Sequence, residues 1–178
     1  MLSDHIITGK EVGVPHSDRP LGVVTAVIFD SLAGIVLGFA LDSPGWHATA
    51  RMLPWSGLRD VSAERIVAQS PGMIVAAGHL YSVRRVLERS PLWPHIPVCD
   101  AAGLELGFVC GIYFDAWTGT IQGYGLSTRP GALETRCHRV SRALRVEPET
   151  MILPGAAQPA IGPLKLATGS LFEKAHLL

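Results

Sequence analysis

Chemistry in this sequence rests on few side chains: two aspartates in matching contexts, seven histidines, three cysteines and one arginine-rich stretch. Asp30 opens the run Asp-Ser-Leu-Ala-Gly34, and Asp115 opens Asp-Ala-Trp-Thr-Gly119. Two carboxylates can divide acid and base work, but only in environments that push their pKa values apart. Matching contexts supply similar environments. The same spacing suits a hairpin turn, in which the Asp carboxylate accepts hydrogen bonds from turn amides and Gly takes a positive φ. Asp30, Gly34, Asp115 and Gly119 are therefore assigned to turns. The histidines (His5, His16, His47, His79, His95, His138 and His176) are scattered without a ligand spacing. Cys137 and His138 are adjacent, so in a strand they point to opposite faces, which disfavours a nucleophile–base pair. Cys99, Cys110 and Cys137 are odd in number and form no C-x-x-C pair. That fits a reducing cytoplasm better than a disulfide framework or a zinc site. There is no G-x-S-x-G elbow, P-loop or dinucleotide fingerprint. The sequence assigns no catalytic residue, no metal ligand and no cofactor, and the chain is read as a non-enzyme.

Binding is the remaining chemistry. Arg129, Arg136, Arg139, Arg142 and Arg145 fall within 17 residues, opposed locally only by Glu134, a net charge of +4. Such a patch can hold an anionic protein surface, RNA phosphate or lipid headgroups. The plainer reading is a solvated loop and strand, in a chain that uses 12 Arg against 3 Lys. Arg136, Arg139, Arg142 and Arg145 are the basic residues assigned to partner contact. Among the four tryptophans, Trp55 suits packing, and Trp117 at a hairpin tip is the exposed contact candidate.

These residues are positioned by an internal repeat. At an offset of 85, Leu21-Gly22 returns as Leu106-Gly107, Phe29-Asp30 as Phe114-Asp115, Gly34 as Gly119, Gly38 as Gly123 and Leu41 as Leu126. From Leu21 to Leu41 there are eight identities in 21 ungapped positions, and Arg51 later pairs with Arg136. Each copy reads as β. Gly22 to Phe29 and Ile35 to Leu41 are rich in β-branched and aromatic residues, and Ala48 to Trp55 and Arg65 to Ala68 supply further short strands. Several short strands without a helix are most economically closed as a small barrel, which leaves few open edges.

Helical signals lie between and after the copies. Leu80, Val83, Val86 and Leu87 share one helical face opposite Arg84, Arg85, Glu88 and Arg89. Ser170 to Glu173 has capping-box spacing after a loop-like composition from Gln158 to Gly169. The expected organisation is a unit over 5–76, a linker helix within 77–94, a second unit over 95–157 and a tail with a short helix over 158–178. Val23 to Phe29 and Phe108 to Phe114 are apolar or small on both faces apart from Thr25. Their outer faces need cover, from the other barrel, the Leu80–Leu87 helix, a second subunit or a partner; barrel-on-barrel packing is expected first and a homodimer second.

Composition sets the outer bounds. Fifteen basic and fifteen acidic residues cancel, 48% of side chains are hydrophobic and 17% are charged. A typical soluble domain carries roughly 25% charged residues. Low charge with high hydrophobicity excludes a disordered chain, and zero net charge excludes a bulk polyanion binder. The longest uncharged run, Ile66 to Val83, has 18 residues and is broken by Pro71-Gly72. It reads as strands followed by a helix start, so no integral membrane span is expected.

The order of motifs resembles the PRC-barrel superfamily. The first copy carries Pro20-Leu21-Gly22, Phe29-Asp30, Gly34, the run Arg51-Met-Leu-Pro-Trp55 and Ile66-Val67. The second carries Val98-Cys-Asp100, Gly103, Leu106-Gly107, Phe114-Asp115 and Thr118-Gly119, but departs at Cys137-His-Arg-Val140, where the Leu-Pro-Trp segment would stand. The family includes the cytoplasmic part of the photosynthetic reaction-centre H subunit and a ribosome maturation factor. The resemblance implies a mainly β fold of two tandem small barrels joined by a short amphipathic helix. It also implies a cytoplasmic scaffold for protein contacts, placed at the inner face of a membrane where its assembly is membrane-bound. An RNA- or ribosome-associated role through the second unit's arginines is the alternative.

Overall fold

The computed structural model describes residues 1–42, 47–89, 96–132, 134, 136–139, 142–147 and 149–154. The expected C-terminal helix, the tail over 158–178, and Trp46, Trp93, His95 and His176 lie outside these residues. In chain order the first elements are β1 (Leu2–Ser3), α1 (Asp4–Ile7), β2 (Glu11–Val14), β3 (Ser17–Asp30), β4 (Ile35–Leu41), β5 (Arg51–Pro54), β6 (Leu58–Val61), β7 (Ile66–Ala68) and β8 (Val75–Ala76). They are followed by α2 (Tyr81–Arg89), β9 (Pro97–Asp100), β10 (Glu105–Phe114), β11 (Ile121–Ser127), β12 (Arg136–His138), β13 (Arg145–Val146) and β14 (Met151–Leu153). The chain is mainly β, in two curled sheets.

The repeat in sequence is a repeat in topology. The first sheet runs β6-β7-β2-β3-β4-β5-β8, and the second runs β13-β14-β9-β10-β11-β12 with β1 added beside β10. Both contain one parallel pair, β2 with β7 and β9 with β14. Even the irregularities recur. The β3–β4 register slips between Val24 and Ala26 and between Ile28 and Phe29. The β10–β11 register slips between Val109 and Gly111 and between Tyr113 and Phe114. Each slip adds local bend and twist, which curls the sheet. Among the described residues, neither sheet completes a ring of strand pairing.

The sheets do not need to close because each covers the other. Val27, Phe29, Val36 and Phe39 of the first sheet share one buried cluster with Val109, Ile112, Phe114 and Tyr124 of the second. Trp55 bridges the two, edge-on to Phe39 and to Phe114 with ring centroids 6.0 Å apart in each case. The hairpin tips lock reciprocally. Val36 N–H donates to the Gly119 carbonyl and Ile121 N–H donates to the Gly34 carbonyl, both at 2.8 Å. These bonds interchange under the offset of 85, and the single bridge between Ile35 and Thr120 marks the local two-fold.

The outer face of the first sheet is covered by the helix, not by the barrel-on-barrel packing expected first. Among the described residues it is not the second sheet that lies on it. Instead α2 buries Val83 and sets Leu80 and Leu87 against Ala26, Ile28, Leu37, Ala40 and Met52. The amphipathic helix therefore does more than join the repeats. It supplies the apolar cover that β3 and β4 require, and full burial of one such aliphatic side chain contributes about 1.5–3 kcal/mol. On the second sheet the equivalent place is taken by the chain's first residues. Leu2 pairs with Phe114 and Ser3 with Tyr113, and Asp4 accepts the Ile112 N–H at 3.0 Å. The segment ahead of each repeat thus packs on the other repeat.

Candidate functional site

The paired aspartates hold their turns. Asp30 Oδ1 accepts the amides of Leu32 and Ala33 at 2.9 and 3.1 Å. Asp115 Oδ1 accepts the amides of Trp117 and Thr118 at 2.9 and 2.8 Å, and the Thr118 hydroxyl at 3.0 Å. These bonds, led by the Thr118 amide, hold the Asp115 carboxyl below its ordinary range. Gly34 and Gly119 both have φ +72°. A Cβ at Gly119 would lie 2.9 Å from the Trp55 ring, so this turn needs glycine for space as well as for conformation. Asp30 has a second role, an ion pair at 3.3 Å with Arg89 at the end of α2.

The arginines separate into tied and exposed groups. Arg136 donates through Nη2 to the Leu106 carbonyl. Its counterpart Arg51 donates through Nη2 to the Leu21 carbonyl at 2.9 Å. The two positions interchange under the offset of 85, so this bond ties the start of a long strand in each repeat. Arg145 pairs with Glu147 at 3.0 Å, both side chains well exposed. Arg129, Arg139 and Arg142 are exposed. Glu134 is not a surface counter-ion to them, because it turns inward onto Tyr113. Trp117 is 89% exposed on the Asp115 turn. His138 donates to the Pro154 carbonyl at 2.9 Å, while Cys137 lies beside Gly123. The two neighbours do not act on one another.

A second cluster is marked by no motif. Positions that are apolar on the outer face of the first sheet become small or polar on the second: Ala26 becomes Gly111, Ile28 becomes Tyr113, Ala40 becomes Gly125 and Met52 becomes Cys137. Comparing the two copies face by face would have exposed it. Glycine hollows this face. A Cβ on Gly111 would fall 2.8 Å from His5 Nε2 and 3.0 Å from Asp4 Oδ1, and one on Gly125 would collide with the Glu134 carboxylate. Tyr113 Oη donates to Glu134 Oε1 at 2.8 Å.

Burial dominates the electrostatics here. It raises the Asp4 and Glu134 carboxyls above their ordinary values, with His5 acting in the opposite direction on both. Burial, then the charge on Glu134, pushes the Cys110 and Cys137 thiols up to about 11. At neutral pH these thiols are protonated, so they are poor nucleophiles and poor soft-metal ligands. Among the described residues, no three His, Cys, Asp or Glu side chains are grouped to hold a metal ion. What this arrangement can do is exchange protons.

A groove of about 480 Å³ lies beside the β2–β3 hairpin between Lys10, Asp18, Arg19, Glu64 and Arg65. It is open and lined by charges of both signs. No described helix is long and apolar enough to cross a membrane. No protein-family model and no curated protein sequence matches the chain.

Proposed function

We propose that this chain is a non-enzymatic interaction module of the tandem PRC-barrel type. It docks on a larger protein assembly, membrane-associated or photosynthetic in kind, from the cytoplasmic side. One observation carries this reading: Trp117 stands 89% exposed on a turn that Asp115 holds with three hydrogen bonds. A large aromatic on a held turn costs little backbone freedom when a partner buries it, which favours an interface hot spot. The turn is further held because its Gly119 carbonyl accepts the Val36 amide, and the Gly34 carbonyl accepts the Ile121 amide, across the local two-fold. The module therefore presents Trp117 from a rigid body.

A second reading, an RNA- or ribosome-associated factor, is favoured by the exposure of Arg129, Arg139 and Arg142 on one stretch of chain. Arg136 is exposed on the same stretch, with one guanidinium nitrogen donated to the Leu106 carbonyl. One experiment separates the two. The tagged full chain is purified from its native cell beside Trp117→Ala and the double variant Arg139→Ala/Arg142→Ala. A protein partner retained by the wild type and the double variant, and reduced more than tenfold by Trp117→Ala, supports the docking module. RNA whose salt-dependent recovery falls only in the double variant supports the alternative. Recovery of no partner at any salt concentration overturns both.

A further inference from the structure

The residues that precede the first repeat form an arm on the second sheet. Leu2 and Ile7 anchor it in the shared core, with 5% and 0% exposure. Between these anchors Asp4 and His5 lie over the hollow at Gly111. Gly111 and Gly125 are paired in register on β10 and β11, strands about 4.8 Å apart. Asp4 sits over the first glycine and Glu134 over the second, so two carboxylates occupy neighbouring sites on one half-buried face.

Among the described residues, the groups facing them are few. His5 comes from the arm, Tyr113 and Cys110 from β10, Cys137 from β12, and Ile112 contributes a backbone amide. Among the described residues, Asp4 accepts the Ile112 N–H and Glu134 accepts the Tyr113 O–H from outside the arm. Two negative charges this close, half removed from water, repel one another and lose solvation. A proton on either relieves both costs. Lifting the arm returns Asp4 to water and takes cover from Glu134.

We infer that docking of the N-terminal arm is coupled to proton uptake by the Asp4–Glu134 pair, so that acid tightens the arm on the second sheet and alkali loosens it. Both carboxyls are moved in the same direction, upward. A group whose value is raised in the docked state contributes stability below its undocked value and loses it as pH rises through the docked one. The coupled element is a strand and a helical turn, and loosening it uncovers the β10 edge at Tyr113 and Phe114. This coupling does not depend on the docking role proposed for Trp117.

Amide hydrogen exchange on the full chain tests it, between about pH 4 and about pH 8 at fixed ionic strength, corrected for intrinsic exchange. In the wild type, protection of the amides from Leu2 to Ile7 falls severalfold across that range, in the direction that linkage to a raised carboxyl requires. Asp4→Asn and Glu134→Gln each flatten the profile. Tyr113→Phe keeps both carboxylates but removes the donor that lowers Glu134, so its profile keeps its slope and its midpoint moves to higher pH. Protection independent of pH in the wild type overturns the inference. So does a slope that survives both carboxylate substitutions, or a Tyr113→Phe midpoint that moves to lower pH.

Discussion

Tyr124 stands where the first repeat has Phe39, and the two differ by one hydroxyl. That oxygen is buried and has no hydrogen-bond partner among the described residues. A buried hydroxyl without a partner costs about 1–3 kcal/mol of desolvation. Tyr124→Phe therefore raises stability by about 1 kcal/mol, read as a higher urea midpoint at unchanged slope. A lower midpoint would show that the hydroxyl is satisfied. At this scale the turn residues are legible in the sequence, because Asp-x-x-x-Gly names its own hydrogen bonds. The tie from Arg136 to Leu106 is not, because its acceptor is a carbonyl 30 residues away that no side-chain pattern marks. The cluster around Glu134 is hidden for a similar reason: glycines at Gly111 and Gly125 look like weak strand residues until the carboxylates above them are placed.

Among the elements, α2 is the clearest in the sequence, since Leu80, Val83, Val86 and Leu87 recur at helical spacing. What periodicity leaves open is which surface receives that stripe. The receiving face is Ala26, Ile28, Ala40 and Met52, of which Ala26 and Ile28 belong to the run that is apolar on both faces. Val83 is fully buried in this contact. Val83→Ala lowers stability by about 2 kcal/mol through lost transfer energy and a cavity, while Arg85→Ala on the exposed side changes it by less than about 0.5 kcal/mol. Chemical denaturation of the two variants side by side checks the contrast; equal effects would remove α2 as the cover. β1 is illegible by comparison. Two residues carry no period, and the bond from Ile112 to Asp4 spans 108 positions.

For the whole molecule, the repeat predicts two similar small barrels, and the structure contains two similar curled sheets with matching strand order and matching register slips. The curl without closure does not follow from the sequence. Sheet edges are decided by what covers the inner face, and here that is the other copy. With the core shared and the arms crossed, neither repeat keeps its interior when the other melts. Calorimetry of the full chain then gives one transition whose calorimetric and van't Hoff enthalpies agree. Two resolved transitions would mean that the copies are stable separately.

The reciprocal bonds at Gly34 and Gly119 also set a timetable for synthesis. When the first repeat leaves the ribosome, the Gly34 carbonyl and the Val36 amide have no counterpart, because Ile121 and Gly119 have not been made. At about 5–20 residues per second, the 85 residues between equivalent positions take on the order of ten seconds. For that interval Phe29, Val36 and Phe39 face water, and the nascent half-molecule resembles the template that the second copy will complete. A newly made chain therefore risks completing itself with a neighbour's second copy on the same polysome, and the tethering of its own copy in one polypeptide favours the correct pairing.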